Sequence, residues 1–149
     1  MSKMIFINLP VTDLDRSIAF YESDGARKEP KFSNEAAAMM VLSESISIML
    51  LNHDFYSTFT SKPIADAHQS SQVLLALSAE SADDVDATVT SAAAAGGVAD
   101  PGPKQEMGGM MYGRSFEDPD GHHWEIMWMD PTFAEQGAHE TEANVHQEA

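Results

Sequence analysis

The run Phe116-Glu117-Asp118-Pro119-Asp120-Gly121-His122-His123-Trp124-Glu125-Ile126-Met127-Trp128-Met129 constrains the fold most. Asp-Pro-Asp-Gly is turn chemistry. Pro119 presets φ, the two aspartates can accept from nearby backbone N–H groups, and Gly121 can take a positive φ. The residues after it alternate with period two, as a strand does. His122, Trp124, Ile126 and Trp128 form the heavier apolar face, which belongs against a helix layer. His123, Glu125, Met127 and Met129 face the other way. A carboxylate in mid-strand among methionines is either shown to water or held in a cavity. What Glu125 meets there is the functional question.

The preceding chain supplies the partners for this hairpin. Lys3 to Leu9 is rich in β-formers and predicts a strand that Pro10, lacking an N–H, ends. Thr12 or Asp13 caps a helix to about Glu22, with Leu14, Ile18 and Tyr21 on its buried stripe. A short strand over Arg27 to Phe32 follows, then a hairpin of Ala36 to Leu42 with Ser45 to Leu51. Asn52 to Gln69 has no clean period and reads as a loop with a short helical turn. The order then restarts. Gln72 to Ala79 predicts a strand, and Ser81 caps a helix over Ala82 to Ala95 that Gly96-Gly97 stops. Val98-Ala99 opens a short strand, and Met110 to Phe116 with His122 to Met129 forms the last hairpin. Strand, helix and about three strands thus occur twice. The expected fold is α+β: two βαβββ modules, about 1–65 and 70–130, forming a curled mixed sheet around a shared cup. They make one domain over 1–130. Residues 131–149 are acidic and polar and read as a disordered tail.

Composition removes several function classes. The 24 acidic residues against 8 basic ones give a net charge of −16, which excludes the basic footprint that nucleic acid requires. No apolar run reaches the roughly 18 residues of a membrane span. The opening residues carry no secretory pattern, so a cytoplasmic location is expected. Without cysteine there is no disulfide or thiol chemistry. No phosphate-cradling glycine loop or nucleophile elbow is present.

Two segments carry a family likeness. Leu9-Pro10-Val11-Thr12-Asp13-Leu14-Asp15-Arg16-Ser17-Ile18-Ala19-Phe20-Tyr21 resembles the first strand-to-helix segment, V-x-D-L-x-x-S-x-x-F-Y, of the vicinal oxygen chelate superfamily. Phe116 to Glu125 resembles its F-x-D-P-D-G-x-x-x-E hairpin. That superfamily includes glyoxalase I, bleomycin-resistance proteins and extradiol dioxygenases. The resemblance implies the doubled βαβββ fold, a homodimer, and four cup positions that hold a divalent metal in the metal-dependent members. Those positions fall on Phe6, Met49, Leu74 and Glu125. Phe and Leu offer no donor, and Met is a poor ligand for a hard or borderline ion. The usual metal set is therefore lost and no cofactor is expected. A displaced divalent metal would have to draw on Asn8, His53, His123 and Glu125.

Glu125 is the candidate catalytic residue. A four-residue connection over Asp118 to Gly121 would place Arg114 opposite it, as a charge partner. Phe6, Asn8, Met49, Leu74, Arg114, Glu125 and Met127 then form the expected ligand pocket, and the many methionines suit a flat apolar ligand. Two functions follow. One is a metal-independent binder of a small organic molecule, in the manner the resemblance implies for bleomycin-resistance proteins. The other is a lactoylglutathione-lyase-like or dioxygenase-like enzyme, with a displaced metal or a metal-free acid–base site at Glu125.

Overall fold

Alternating apolar residues build two sheets, and two amphipathic helices cover them. The computed structural model describes residues 2–136. The first half runs β1 (Ile5–Val11), α1 (Leu14–Ser23), β2 (Arg27–Glu29), a 3-10 turn (Pro30–Phe32), β3 (Ala37–Val41) and β4 (Ile46–Asn52). Its sheet has the order β1-β4-β3-β2, with β1 parallel to β4 and the other pairs antiparallel. A single helical turn, α2 (His53–Tyr56), leads into a connection over 57–74 that has neither helix nor strand. The second half runs β5 (Leu75–Ser78), α3 (Ala82–Ala94), β6 (Val98–Ala99), β7 (Gln105–Glu106), β8 (Met111–Glu117) and β9 (His123–Met129). Its order is β5-β9-β8-β6, β7 also pairs with β8, and β5 is parallel to β9. The fold is α+β. The two expected βαβββ modules are present, and each forms its own mixed sheet.

Asp13 caps α1 by accepting from the Arg16 N–H, and Ser81 caps α3 by accepting from the Asp84 N–H. One face of each helix is apolar. Phe20 and Tyr21 of α1, with Val85, Val89 and Ala92 of α3, enter a single cluster. Leu9, Val11, Met40, Ile48 and Leu50 join from the first sheet, and Phe116, Trp124 and Ile126 from the second. The heavy face of β9 thus lies against the helices, as its alternation predicts. Phe20 meets Phe116 at 5.9 Å between ring centroids, and Phe116 stacks on Trp124 at 6.5 Å.

A polar network runs through this cluster. Tyr21 donates its hydroxyl hydrogen to Asp118 Oδ2 at 2.6 Å, and Trp124 Nε1 donates to the Tyr21 hydroxyl at 3.0 Å. Asp118 Oδ1 accepts from the N–H groups of Asp120 and His122, both at 2.9 Å. Asp120 Oδ1 accepts from the Thr12 N–H at 3.0 Å and the Thr12 hydroxyl at 2.7 Å, and Arg16 Nη2 lies 3.6 Å away. Ser17 donates to Asp120 Oδ2 at 3.3 Å. The turn aspartates therefore tie the second half to the start of α1. Burial pushes the Asp118 carboxyl up, and its neighbours His122 and Tyr21 pull it back.

Several boundaries differ from the sequence expectation. Pro10 does not end β1: it pairs with Leu51, and the strand continues to Val11. Because β1 is an edge strand, the missing N–H costs no ladder bond. Arg27 to Phe32 is not one strand, since Pro30 turns the chain into the 3-10 segment. β5 begins at Leu75, leaving Leu74 outside it. β7 was not foreseen, because two polar residues carry no period. Beyond β9, Pro131–Gln136 forms a helix, α4, so the expected disordered tail does not begin at 131. The rest of that segment, 137–149, lies outside the described residues. No described helix is long and apolar enough to cross a membrane.

Tyr21→Phe is expected to lower the unfolding free energy by about 1–3 kcal/mol, because it strands a buried carboxylate and the indole N–H; urea denaturation checks this. Asp24, after α1, has both carboxylate oxygens buried without a partner, and desolvation pushes its carboxyl from 3.8 up to about 6. A raised carboxyl pKa means that ionisation opposes folding. The penalty is absent below the unfolded value of 3.8, grows between there and about 6, and is complete above. Asp24→Asn should raise Tm at neutral pH, and the gain should vanish as the pH falls below 4.

Candidate functional site

The structure brings the predicted pocket residues together only in part: Asn8 lies beside Met49, and Glu125 shares a face of β9 with Met127. Phe6 is 47% and Leu74 60% exposed, each at the open edge of its half. Met49 is half-buried in β4, beside Asn8 on β1. Arg114 does not face Glu125. The hairpin connection is five residues long, so Glu117 pairs with His123, Ser115 with Glu125 and Arg114 with Ile126. That one-residue shift puts Arg114 on the helix side. There Asp100 holds it through two bonds, at 3.0 and 2.6 Å, and Asp86 through one at 2.9 Å. Tyr112 also donates to Asp86, at 2.6 Å. These bonds hold the Asp86 and Asp100 carboxyls below the usual range and raise Arg114. Arg114 is a structural clamp between β8, α3 and the segment after β6.

Glu125 has a different partner. Its Oε1 lies 3.0 Å from Nε2 of His123, two residues back on the same face of β9, and both side chains are about one-fifth exposed. Met127 continues that face and packs over Gly113 of β8, its Cε 3.1 Å from where a Cβ would stand. Of the displaced-metal candidates, only His123 and Glu125 come together. Asn8 donates to the Phe6 carbonyl at 3.2 Å, and His53 lies on α2. Among the described residues no three or more His, Asp or Glu side chains come together as a metal site. At three of the four positions that the resemblance implies, Phe6, Met49 and Leu74 offer no donor suited to a hard or borderline divalent ion.

What the structure builds instead is a cleft of about 610 Å³ beside the Asp118–Gly121 turn. Its floor is the end of β1 (Asn8, Leu9, Pro10) with Leu75 of β5, and its roof is the connection from Tyr56 to Val73. Pro63, Ile64 and Val73 give the roof apolar patches, Thr60, Gln69 and Gln72 with Ser70 and Ser71 make much of the rest polar, and Lys62 adds a cation. Glu117, His122 and His123 close the turn end. Of the predicted pocket set, Asn8 alone lines this cleft.

The roof is seated by close packing. Gly121 has φ +87°, and a Cβ there would stand 2.7 Å from the His68 backbone nitrogen and 2.9 Å from the Ala67 carbonyl carbon. Only glycine lets the connection rest on the turn. His122 adds a bond across the halves: its Nε2 lies 2.8 Å from the Pro10 carbonyl oxygen. Lys62, His68 and His122 were missed as site residues. The first two sit in a segment without period, and His122 read as part of the turn. The D-P-D-G glycine was the available signal, since a turn that tight leaves room for a second segment above it.

A family model described as the Glyoxalase/Bleomycin resistance protein/Dioxygenase superfamily matches residues 3–126. Solved structures agree in fold. A glyoxylase/bleomycin resistance protein/dioxygenase domain from Frankia sp. EAN1pec is 25% identical, covers 88% of this chain and 94% of its own, and gives a TM-score of 0.64. A hypothetical protein from S. aureus is 22% identical over 86% of this chain and 94% of its own, with a TM-score of 0.71. A fosfomycin resistance protein from Listeria monocytogenes is 19% identical over 89% and 97%, with a TM-score of 0.64. No curated protein matches the chain.

Gly121→Ala should lower the unfolding free energy by about 2 kcal/mol, from the left-handed backbone and the lost seat together. Hydrogen exchange should speed up at 65–69 ahead of the sheets; uniform exchange would refute the seating.

Proposed function

We propose that this chain, which belongs to the Glyoxalase/Bleomycin resistance protein/Dioxygenase superfamily, binds a small organic molecule without a bound divalent metal. The observation that carries the reading is the roofed cleft. At about 610 Å³ it falls in the size range of small-molecule sites, and its walls mix apolar side chains, such as Leu9, Ile64 and Leu75, with polar and charged ones along the roof and at the turn end. The inherited metal positions supply a single carboxylate, and Glu125 is engaged with His123.

The test uses chelator-treated protein in a thermal-shift screen of flat apolar ligands. A ligand at a hundred times its Kd should add about 2.7 kcal/mol of stability without metal. The gain should fall sharply in Ile64→Trp, which fills the cleft. Stoichiometric metal that disappears in Glu125→Ala would overturn the metal-independent reading.

The His123–Glu125 pair supports a second reading, a metal-free acid–base site. A carboxylate accepts only, so Nε2 carries the hydrogen and Nδ1 is left as the basic nitrogen. Glu125 then orients the ring and His123 moves the proton, which exchanges the roles expected from sequence. If so, Glu125→Gln keeps ligand binding and lowers turnover of any substrate found, whereas equal turnover removes the second reading.

The exposed apolar residues Met4, just before β1, Ile5 and Phe6 in it, and Val73 and Leu74 before β5 suit a second copy of the chain. We propose a homodimer covering them. Light scattering should give twice the chain mass for the parent and the chain mass for Phe6→Glu/Leu74→Glu.

A further inference from the structure

Beside the cleft lies a second cavity of about 420 Å³, and the two share Pro10, Ile64, Ala65, Ala67, His68 and His122. Every histidine among the described residues lines one or both: His53 the second, His123 the first, and His68 and His122 both. These side chains come from α2, the connection, the turn and β9, so the convergence is a product of the fold and not of local sequence. We propose that the joined cavities hold a small organic oxyanion, a carboxylate or phosphate on an apolar body, and take up protons on these histidines as it binds. The inference rests on the proposed reading of the cleft as a ligand site and names the class of ligand.

The fixed charges leave the decision to the imidazoles. Lys62 lines the first cavity and has no ion-pair partner among the described residues; Arg16 lines the second. Against them stand Glu117 in the first cavity and Asp66 and Asp120 in the second, with Asp120 already bonded to Thr12 and Ser17. Asp118 lies behind His122, accepting from its backbone N–H, and Glu125 lies behind His123. Tyr56 also lines the first cavity. With neutral rings the two cations face three carboxylates, so the joined cavities are one charge negative, and it takes two added protons to turn the balance toward an anion.

Geometry fixes where two of the protons go. The Pro10 carbonyl can only accept, so His122 carries its hydrogen on Nε2 and would gain the second on Nδ1. The Glu125 carboxylate imposes the same state on His123. An anion beside these rings favours their charged form, and by linkage the charged form favours the anion.

Benzoate and its neutral isostere benzamide make a matched pair for calorimetry on the full chain. Benzoate should bind about tenfold more tightly near pH 6 than near pH 8, and its heat should vary with buffer ionisation enthalpy in the sense of proton uptake. Benzamide should bind more weakly, with no pH dependence. His53→Gln/His68→Gln/Lys62→Ala alters only exposed side chains, so it should keep the parent Tm while losing most of the benzoate preference. Equal binding of the two probes, no proton uptake, or an unchanged preference in the triple variant would overturn the oxyanion assignment and leave the cleft as a ligand site. Binding of neither probe would overturn both.

Discussion

A carboxylate as buried as that of Asp118 is tolerable only where donors converge on it. Here they come from both halves of the chain: two N–H groups of its own turn and the Tyr21 hydroxyl from α1. Asp120, two residues on, draws its donors from Thr12 and Ser17 around the start of the same helix. The halves belong to separate sheets, so no β-ladder joins them. The apolar cluster between them is non-directional, whereas the turn carboxylates fix position. Misplacing α1 against the turn would leave buried charge without partners, which costs far more than an imperfect apolar contact.

That interaction explains why two distant segments both looked diagnostic in the sequence. Thr12, Ser17 and Tyr21 of the first segment are the residues that bond Asp118 and Asp120 of the second. The fold was legible because its docking joint is made of short-range turn and cap chemistry, which leaves marks on a single sequence. The helices, the doubled order and the buried face of β9 were legible from periodicity for the same reason. Register was not. Whether the hairpin connection has four residues or five depends on backbone bonds inside the turn, and one residue decides whether Arg114 faces Glu125 or α3. The cleft was illegible for another reason. Its roof is a segment without period, and what holds it is close packing over Gly121, which no pattern of side chains announces.

Glu125 takes on a narrower meaning in this setting. Read as the last member of a metal set, it is an isolated carboxylate with Phe6, Met49 and Leu74 where partners would stand. Read in place, it is the fixed end of a pair whose other member, His123, reaches the cleft. The carboxylate thus fixes the orientation of the His123 ring at the turn end of the cleft.

The consecutive histidines show how docking and site are linked. Period-two alternation sends consecutive side chains to opposite faces of a strand, so in mid-strand two neighbouring histidines could not serve one cavity. At the strand's first turn they can, because the cleft straddles the end of the sheet where the connection crosses it. His122 reaches the Pro10 carbonyl of the first half, and His123 reaches Glu125 within the second. The two rings are held by different halves across one opening, so any change in how the turn seats on α1 moves one ring relative to the other. The joint that specifies the fold therefore also sets the geometry of the site.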